Sequence, residues 1–363
     1  MLPKGGEMTN QETARVLTTR TNSLAGIPDI DNWISFAHQA EDAGIEGLLL
    51  SFGNYEPDTL QVACALGRET KKLKFIVAYR LGLMQPTLFV QQVNTLSTLI
   101  DGRLSLNIIA GSSPAEQRGY GDFLDHDKRY ERAEEFLTIC HTFWRRDGDV
   151  NFNGKYCRLE GGKLHTPYVA PDRKIPEIYV SGHSKGAEEL AKNQGACWIR
   201  LIDTPEKLAS IVARTRELGK EMCLRVSIVC RPTKEEAVKA AEALKEGSST
   251  VKKVRKFLKN SDSHYMKEAL SISDQDDWLN QYLWAGLVPS YGPAVIALVG
   301  TPEELAGAFM AYKQIGITQF IISGWPKLDE MIIFGRDVIP LIRKAELNDL
   351  KSTVSFQASR TSK

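Results

Sequence analysis

No run of apolar residues in this chain approaches the ~18 needed to cross a bilayer, and its first stretch, MLPKGGEMTNQETAR, is polar from residue 3. Neither a membrane span nor a secretory leader is expected, and a cytoplasmic location follows. Charge of one sign is missing as well. The 46 basic and 45 acidic residues are interspersed and leave a net charge of +1, so the one-sided positive field that a phosphate backbone requires is absent and nucleic acid is not an expected partner. The six cysteines (Cys64, Cys140, Cys157, Cys197, Cys223, Cys230) form no C-x-x-C pair. Several lie in apolar runs such as MCLRVSIVC, where a thiol acts as a small hydrophobe, so reduced structural thiols and no metal are expected. The dinucleotide fingerprint G-x-G-x-x-G follows none of the apolar runs, which argues against a Rossmann sheet.

What the sequence does contain is alternation. Seven short β-forming runs recur: EGLLLS (46–51), LKFIVAY (73–79), LSLNIIAG (104–111), EIYVSG (177–182), CWIRLI (197–202), CLRVSIVC (223–230) and TQFIISG (318–324). They are continuously apolar, as strands of a parallel sheet covered on both faces are. Helical periodicity fills the spaces between them. In IDNWISFAHQAEDAG (30–44), Trp33, Ala37 and Ala40 share a face and Gly44 stops the helix. TPEKLASIVARTRELG and TPEELAGAFMAYKQIG repeat one plan, with a Thr cap, Pro at the first helical position and a closing Gly. Alternating β and α units over 363 residues predict an α/β fold, a single (β/α)8 barrel spanning 1–363. Three departures are expected: a helical insertion at about 232–290, whose part 245–290 is a candidate lid, a first strand truncated before residue 46, and a polar tail at about 346–363.

Barrel chemistry gathers where strands end, because the following loops converge on one face. Asn54, Tyr55 and Glu56 follow the first visible run, Arg80 the second, and Asn107 lies inside the third. Gly182, His183 and Ser184 open a helix with no acid in its first three positions. Free N–H groups, a hydroxyl and the positive helix end would seat a phosphate there, although an ordinary Ser N-cap gives the same pattern. In FLDHDKRYERAEEF, His126 and Tyr130 are four apart and so share a helical face.

The stretch LKFIVAYRLGLMQPTLFVQQVNTLSTLIDGRLSLNIIAGSSPAEQRGYGDFLDHDKRYERAEEF resembles the alkanesulfonate monooxygenase branch of the bacterial luciferase-like flavin monooxygenases. The resemblance continues through NFNGKY, IYVSGHSKGAEELA, NQYLWAGL, ALVGTPEELAGAF and FIISGWPKLDE, from about 46 to 345. It implies a TIM barrel that binds reduced FMN (FMNH2) supplied by a separate flavin reductase, reacts with O2 through a flavin peroxide and oxygenates a small organic substrate, commonly as a homodimer or homotetramer. It further implies that Ala78, Asn107, His126, Tyr130, Gly182, His183 and Ser184 contact the flavin.

The substrate side departs from the family pattern. Where sulfonate-using relatives place a cysteine this chain has Glu56; Arg225 is retained, but Ser227 replaces a histidine, Tyr291 an arginine, and Trp325 and Lys327 a Tyr and His. Arg225, Lys327 and Glu56 are therefore the expected catalytic residues, and Arg80, Ser227, Tyr291 and Trp325 the expected substrate contacts. A sulfonate needs several convergent charge-assisted donors, and Glu56 facing the same cavity would repel it. The expected substrate thus carries an amine or amide as well as an acid. A deazaflavin-dependent oxidoreductase and a non-catalytic flavin-binding accessory protein stand as alternatives.

Overall fold

Asp29 caps helix α1 (Ile30–Asp42) by accepting the Asn32 N–H at 3.2 Å, and Trp33, Phe36, Ala37 and Ala40 form its buried face. Gly44, at φ +75°, then turns the chain toward the sheet. The computed structural model describes residues 29–54, 56–145, 148–245, 261, 271, 276–291, 295–325 and 327–349. Strand β1 (Gly47–Leu50), helix α2 (Thr59–Glu69), β2 (Lys74–Arg80), α3 (Pro86–Leu99) and β3 (Leu104–Ile109) alternate directly. The short α4 (Pro114–Gly119), the long α5 (His126–Arg145) and a hairpin of β4 (Val150–Asn153) and β5 (Arg158–Gly162) interrupt them. Alternation resumes with β6 (Glu177–Ser181), α6 (Lys185–Gln194), β7 (Cys197–Leu201), α7 (Pro205–Glu217) and β8 (Glu221–Cys230). An excursion carries α8 (Lys234–Ala243), β9 (Leu283–Trp284), α9 (Val288–Tyr291) and β10 (Ala297–Gly300). Helix α10 (Pro302–Gln314), β11 (Gln319–Gly324) and α11 (Lys327–Ile333) follow, the last running through a π-helical turn at Phe334–Val338.

Strands β1, β2, β3, β6, β7 and β8 lie side by side in that order, all parallel, and β11 pairs parallel with β8. This is the wall of the α/β barrel. Alternate residues explain the unbroken apolar runs. Leu49, Ala78, Tyr179, Cys197, Ile199, Cys223 and Ile321 meet inside the barrel, whereas Phe75, Val77, Leu106, Val180 and Leu224 point out into the helix layer. Each fully buried Leu, Val or Phe there contributes about 1.5–3 kcal/mol.

All seven predicted strands are present, but four others carried too weak a pattern to be read. The β4–β5 hairpin is half polar, and β9 and β10 are only two and four residues long. Because β10 pairs with the upper end of β8, the insertion is not purely helical and runs on to residue 300. Of the two repeated cap motifs, only Thr301 makes a capping box, with Glu304; Thr204 makes no side-chain cap. Glu304 accepts the Thr301 N–H, whereas Lys207 at the matching position cannot, and the Thr204 N–H donates to Asp203 at 2.7 Å instead. The expected tail also begins later than 346, because the chain is helical to 349 and Glu346 pairs with Lys313 at 2.9 Å. The truncated first strand and most of the expected lid lie outside the described residues. One lid residue, Ser261, is buried, and its hydroxyl donates to the Ser112 carbonyl at 2.7 Å on the loop after β3. All six cysteines are free thiols, and no described helix is long and apolar enough to cross a membrane.

Candidate active site

Helix α5 fastens the loops that follow β2 and β3. The buried apolar stripe of Ala133, Phe136 and Cys140 extends back one turn to Arg129 and Tyr130. Arg129 donates to the carbonyls of Ala110 and Leu124, both at 2.8 Å, and Arg132 to the Leu81 carbonyl at 3.0 Å and Asp122 at 2.6 Å. The side chain of Asp122 is 3 % exposed, so Arg132 neutralises a carboxylate with little access to water.

Beside them, Arg80 ends β2 with 2 % exposure. Its Nη2 donates to Glu116 at 3.0 Å, and the same carboxylate oxygen accepts the Asn54 N–H at 3.1 Å. The guanidinium lies over the rings of Phe52 (5.2 Å) and Tyr120 (5.3 Å), whose quadrupoles stabilise the charge. Burial raises the Tyr120 hydroxyl pKa, aided by Glu116. Nε and Nη1 of Arg80 are buried and make no hydrogen bond among the described residues. Gly111, at φ +83°, closes this corner, and a Cβ there would sit 1.5 Å from Gln117 Nε2 and 3.0 Å from Arg80 Nε.

A second corner joins α5 to the β6–α6 turn. His126 and Tyr130 stack edge to face at 5.1 Å between centroids. Tyr130 in turn covers two glycines. A Cβ at Gly182 would approach its hydroxyl to 2.7 Å, and one at Gly186 would approach the ring to 3.0 Å. Gly182 also adopts φ +145°, a region that L side chains rarely enter. Ser184 is the N-cap of α6, its Oγ accepting the Ala187 N–H at 3.2 Å; the hydroxyl proton remains available as a donor. His183 accepts the Leu201 N–H through Nε2 at 2.8 Å, which leaves the neutral ring's proton on Nδ1. Asn107, inward on β3, accepts the Ser181 hydroxyl at 2.7 Å. Ala78 lies below, packed in the barrel's interior cluster.

Across the mouth, Arg225 and Ser227 continue the inward face of β8 above Cys223. Ser227 is fully buried and in register with Ser323 of β11. Trp325, just past β11, is 4 % exposed, and its Nε1 has no hydrogen-bond partner among the described residues. Lys327 opens α11 and borders a cavity in the barrel wall rather than this upper rim. Glu330 on the same helix is 1 % exposed, accepts the Cys230 N–H at 3.0 Å and pairs with Arg231. Burial outweighs Arg231 and pushes its carboxyl up to about 7. Glu56 lies on the loop after β1, its N–H donating to Gly53 O at 3.0 Å, and the side chain of Tyr291 lies outside the described set.

The sequence model of the luciferase-like monooxygenases matches residues 8–319. The chain belongs to that family. As a luciferase-like monooxygenase it is an enzyme, a flavin-dependent monooxygenase. Solved structures agree on the fold. The EDTA monooxygenase EmoA of Chelativorans sp. BNC1 is 19% identical with a TM-score of 0.72, covering 95% of this chain and 93% of its own. A riboflavin lyase (RcaE) with modified FMN and riboflavin is 21% identical, with a TM-score of 0.67 and coverage of 87% and 85%. An F420-dependent secondary alcohol dehydrogenase with an F420-acetone adduct is also 21% identical, with a TM-score of 0.63 and coverage of 87% and 96%.

In this luciferase-like monooxygenase the residues read as flavin contacts thus converge. Asn107 meets Ser181, His126 meets Tyr130, and Tyr130 meets Gly182 and Gly186. The carboxylate on Arg80 is Glu116, a residue the sequence reading passed over along with Arg129, Arg132, Phe52 and Tyr120. For Arg129 a signal existed, since it falls on the apolar stripe of α5 with no apolar character of its own. Glu116 gave none, because its partner is 36 positions away.

Proposed function

We propose that the chain is the oxygenating component of a two-component system of the alkanesulfonate monooxygenase kind, taking reduced FMN from a separate reductase and working as a cytoplasmic homodimer or homotetramer. The observation that carries this reading is the glycine-lined corner at the amino end of α6, where Tyr130 lies against Gly182 and Gly186. That corner suits a nucleotide phosphate. Its glycines let Tyr130 pack directly on the main chain, and it presents main-chain N–H groups and the Ser184 hydroxyl, with its first acidic residue only at Glu188. Bound reduced FMN supplies the activation of O2.

The protein's own groups then divide the remaining work. Ser184 and the α6 N-terminus hold the phosphate, Tyr130 and His126 close over it, and the Asn107 amide, oriented by Ser181, offers a donor to the ring's polar edge. Ala78 leaves room beneath. On the opposite rim, Arg225 stabilises negative charge that develops during oxygen transfer, and Ser227 and Trp325 form the substrate wall. Glu56 anchors the substrate or moves its proton and Arg80 adds donors through Nε and Nη1, whereas Lys327 borders the cavity in the barrel wall and stands away from this rim. The lid expected at 245–290, most of which lies outside the described residues, would exclude water. A substrate bearing an amine or amide together with an acid fits this mixture of cations and a carboxylate, and the name of EDTA monooxygenase points to a compound of that chemistry.

Anaerobic titration with chemically reduced FMN, followed by admission of O2, tests the reading. Binding should weaken at least about 10-fold in Gly186→Val and stay unchanged in Thr204→Ala, and O2 uptake should follow only when FMN is bound. Equal affinity in both variants would overturn the flavin site. Tight binding of reduced deazaflavin without O2 uptake would replace oxygenation by hydride transfer, and flavin binding without turnover on any substrate would make the chain an accessory protein.

A further inference from the structure

Strand β2 alternates its faces, and Ile76 and Ala78 lie on the inward one, against the cluster that fills the barrel. Arg80 is two residues further along the same face, so its side chain leaves the strand toward the barrel axis at the mouth. A guanidinium is planar and holds its N–H bonds in a fixed fork, so all their directions follow once its plane and its rotation within that plane are set. The rings of Phe52 and Tyr120, 5.2 and 5.3 Å from Cζ, set the plane. Glu116 sets the rotation, through the bond it accepts from Nη2 at 3.0 Å.

The same Glu116 oxygen also reaches the loop after β1. It accepts the Asn54 N–H at 3.1 Å, and a Cβ on Gly53 would stand 3.5 Å from it. Glu56 closes that turn, its N–H donating to Gly53 O at 3.0 Å. One carboxylate oxygen therefore joins the end of β2 to the turn that carries Glu56. Glu116 is itself held by the loop after β3: its N–H donates to Ser113 Oγ at 3.3 Å, and the neighbouring Gln117, 1 % exposed, donates to the Ala110 carbonyl at 3.1 Å. Three strand ends meet on this residue.

We propose that Glu116 is a positioning residue, which aims the remaining Arg80 donors at the mouth and sets the turn of Glu56 beside them, so that both address one substrate. The inference rests on the substrate roles proposed above for Arg80 and Glu56. Glu116 acts only through them. Its charge matters as well as its shape, because a neutral amide in its place would keep the contacts and lose the charge that opposes a buried guanidinium.

Removing the carboxylate and then returning it decides the matter. In Glu116→Ala, hydrogen–deuterium exchange at the amides of 54 and 56 should quicken by about 10-fold or more while that of α6 stays unchanged. Formate at about 100 mM should restore the slower exchange by entering beside Arg80, and should leave the unaltered protein as it was. In nitrogen-detected NMR spectra the Nη groups of Arg80, identified by their loss in Arg80→Lys, should be resolved in the unaltered protein, averaged by rotation in Glu116→Ala and resolved again with formate. Glu116→Gln should keep the two amides protected but lower the pKa of Tyr120, whose hydroxyl is held up by burial and then by Glu116, in an ultraviolet titration referenced to Tyr120→Phe. Unchanged exchange or unchanged Nη signals in Glu116→Ala overturn the inference, as does a loss that formate does not reverse. So does an unchanged Tyr120 titration in Glu116→Gln, whether or not Glu116→Ala folds. Reduced FMN should bind Glu116→Ala as it binds the unaltered protein, since the α6 corner contains none of these groups; failure to bind the unaltered protein would overturn the proposed function instead.

Discussion

On the β2–β6 side of the mouth nearly every charged side chain is committed to holding a loop, Arg129 and Arg132 to backbone carbonyls and Arg80 to Glu116. On the β8–β11 side, buried polar groups sit closer to their limits: Trp325 Nε1 has no partner among the described residues, and Glu330 is held near 7 by burial despite Arg231. The first side is a fixed frame in which side-chain charges are spent on holding loops and main-chain N–H groups remain at the start of α6. The second holds polar side chains that burial leaves short of partners or keeps from ionising. A barrel separates these roles because each strand end carries an independent loop on a common wall.

The hardest test of the contrast is Arg132→Ala. It strands Asp122 in a buried site and should cost about 3–5 kcal/mol in urea denaturation, while Arg336→Ala, at an exposed pair on the far side, should leave the curve unchanged. Similar curves for the two variants would erase the distinction. Next in size is a pH effect on the β8–β11 side. Because the folded pKa of Glu330 is raised from 4.5 to about 7, its proton stabilises the folded state fully below about pH 4.5, and that contribution is lost as pH rises through 7. The loss should approach 3 kcal/mol at most, and Glu330→Gln should flatten the profile between pH 5 and 8. Gly182→Ala, strained by φ and by the approach to Tyr130, should cost about 1–3 kcal/mol and weaken reduced FMN binding in the same titration. Smallest is the pair of caps: Thr301→Ala should lower stability by about 1 kcal/mol and Thr204→Ala by far less, since only Thr301 caps with its side chain.

Much of the proposed cofactor corner could be read from the chain because its elements are local. Gly182, Ser184 and the start of α6 are consecutive, and His126 and Tyr130 are one turn apart. The fasteners were not legible in that way. Arg80 and Glu116, or Arg132 and Leu81, are distant in sequence and meet only when α5 lies across the mouth. His183 shows the same limit from the other direction: its place in the motif is plain, but its bond to the Leu201 N–H, 18 residues on, depends on β7 lying beside β6.

The sequence by itself determined the alternation of buried strands and amphipathic helices, because a strand covered on both faces must be apolar at every position and a surface helix on one stripe only. It also determined the glycine-rich turn before α6, where local backbone freedom and an N-terminal helix end coincide. Tertiary structure alone decided which charges are neutralised and by what, since a guanidinium finds its carboxylate through space rather than along the chain. For the same reason only the folded wall shows that, among the described residues, β1 pairs with β2 alone and β11 with β8 alone.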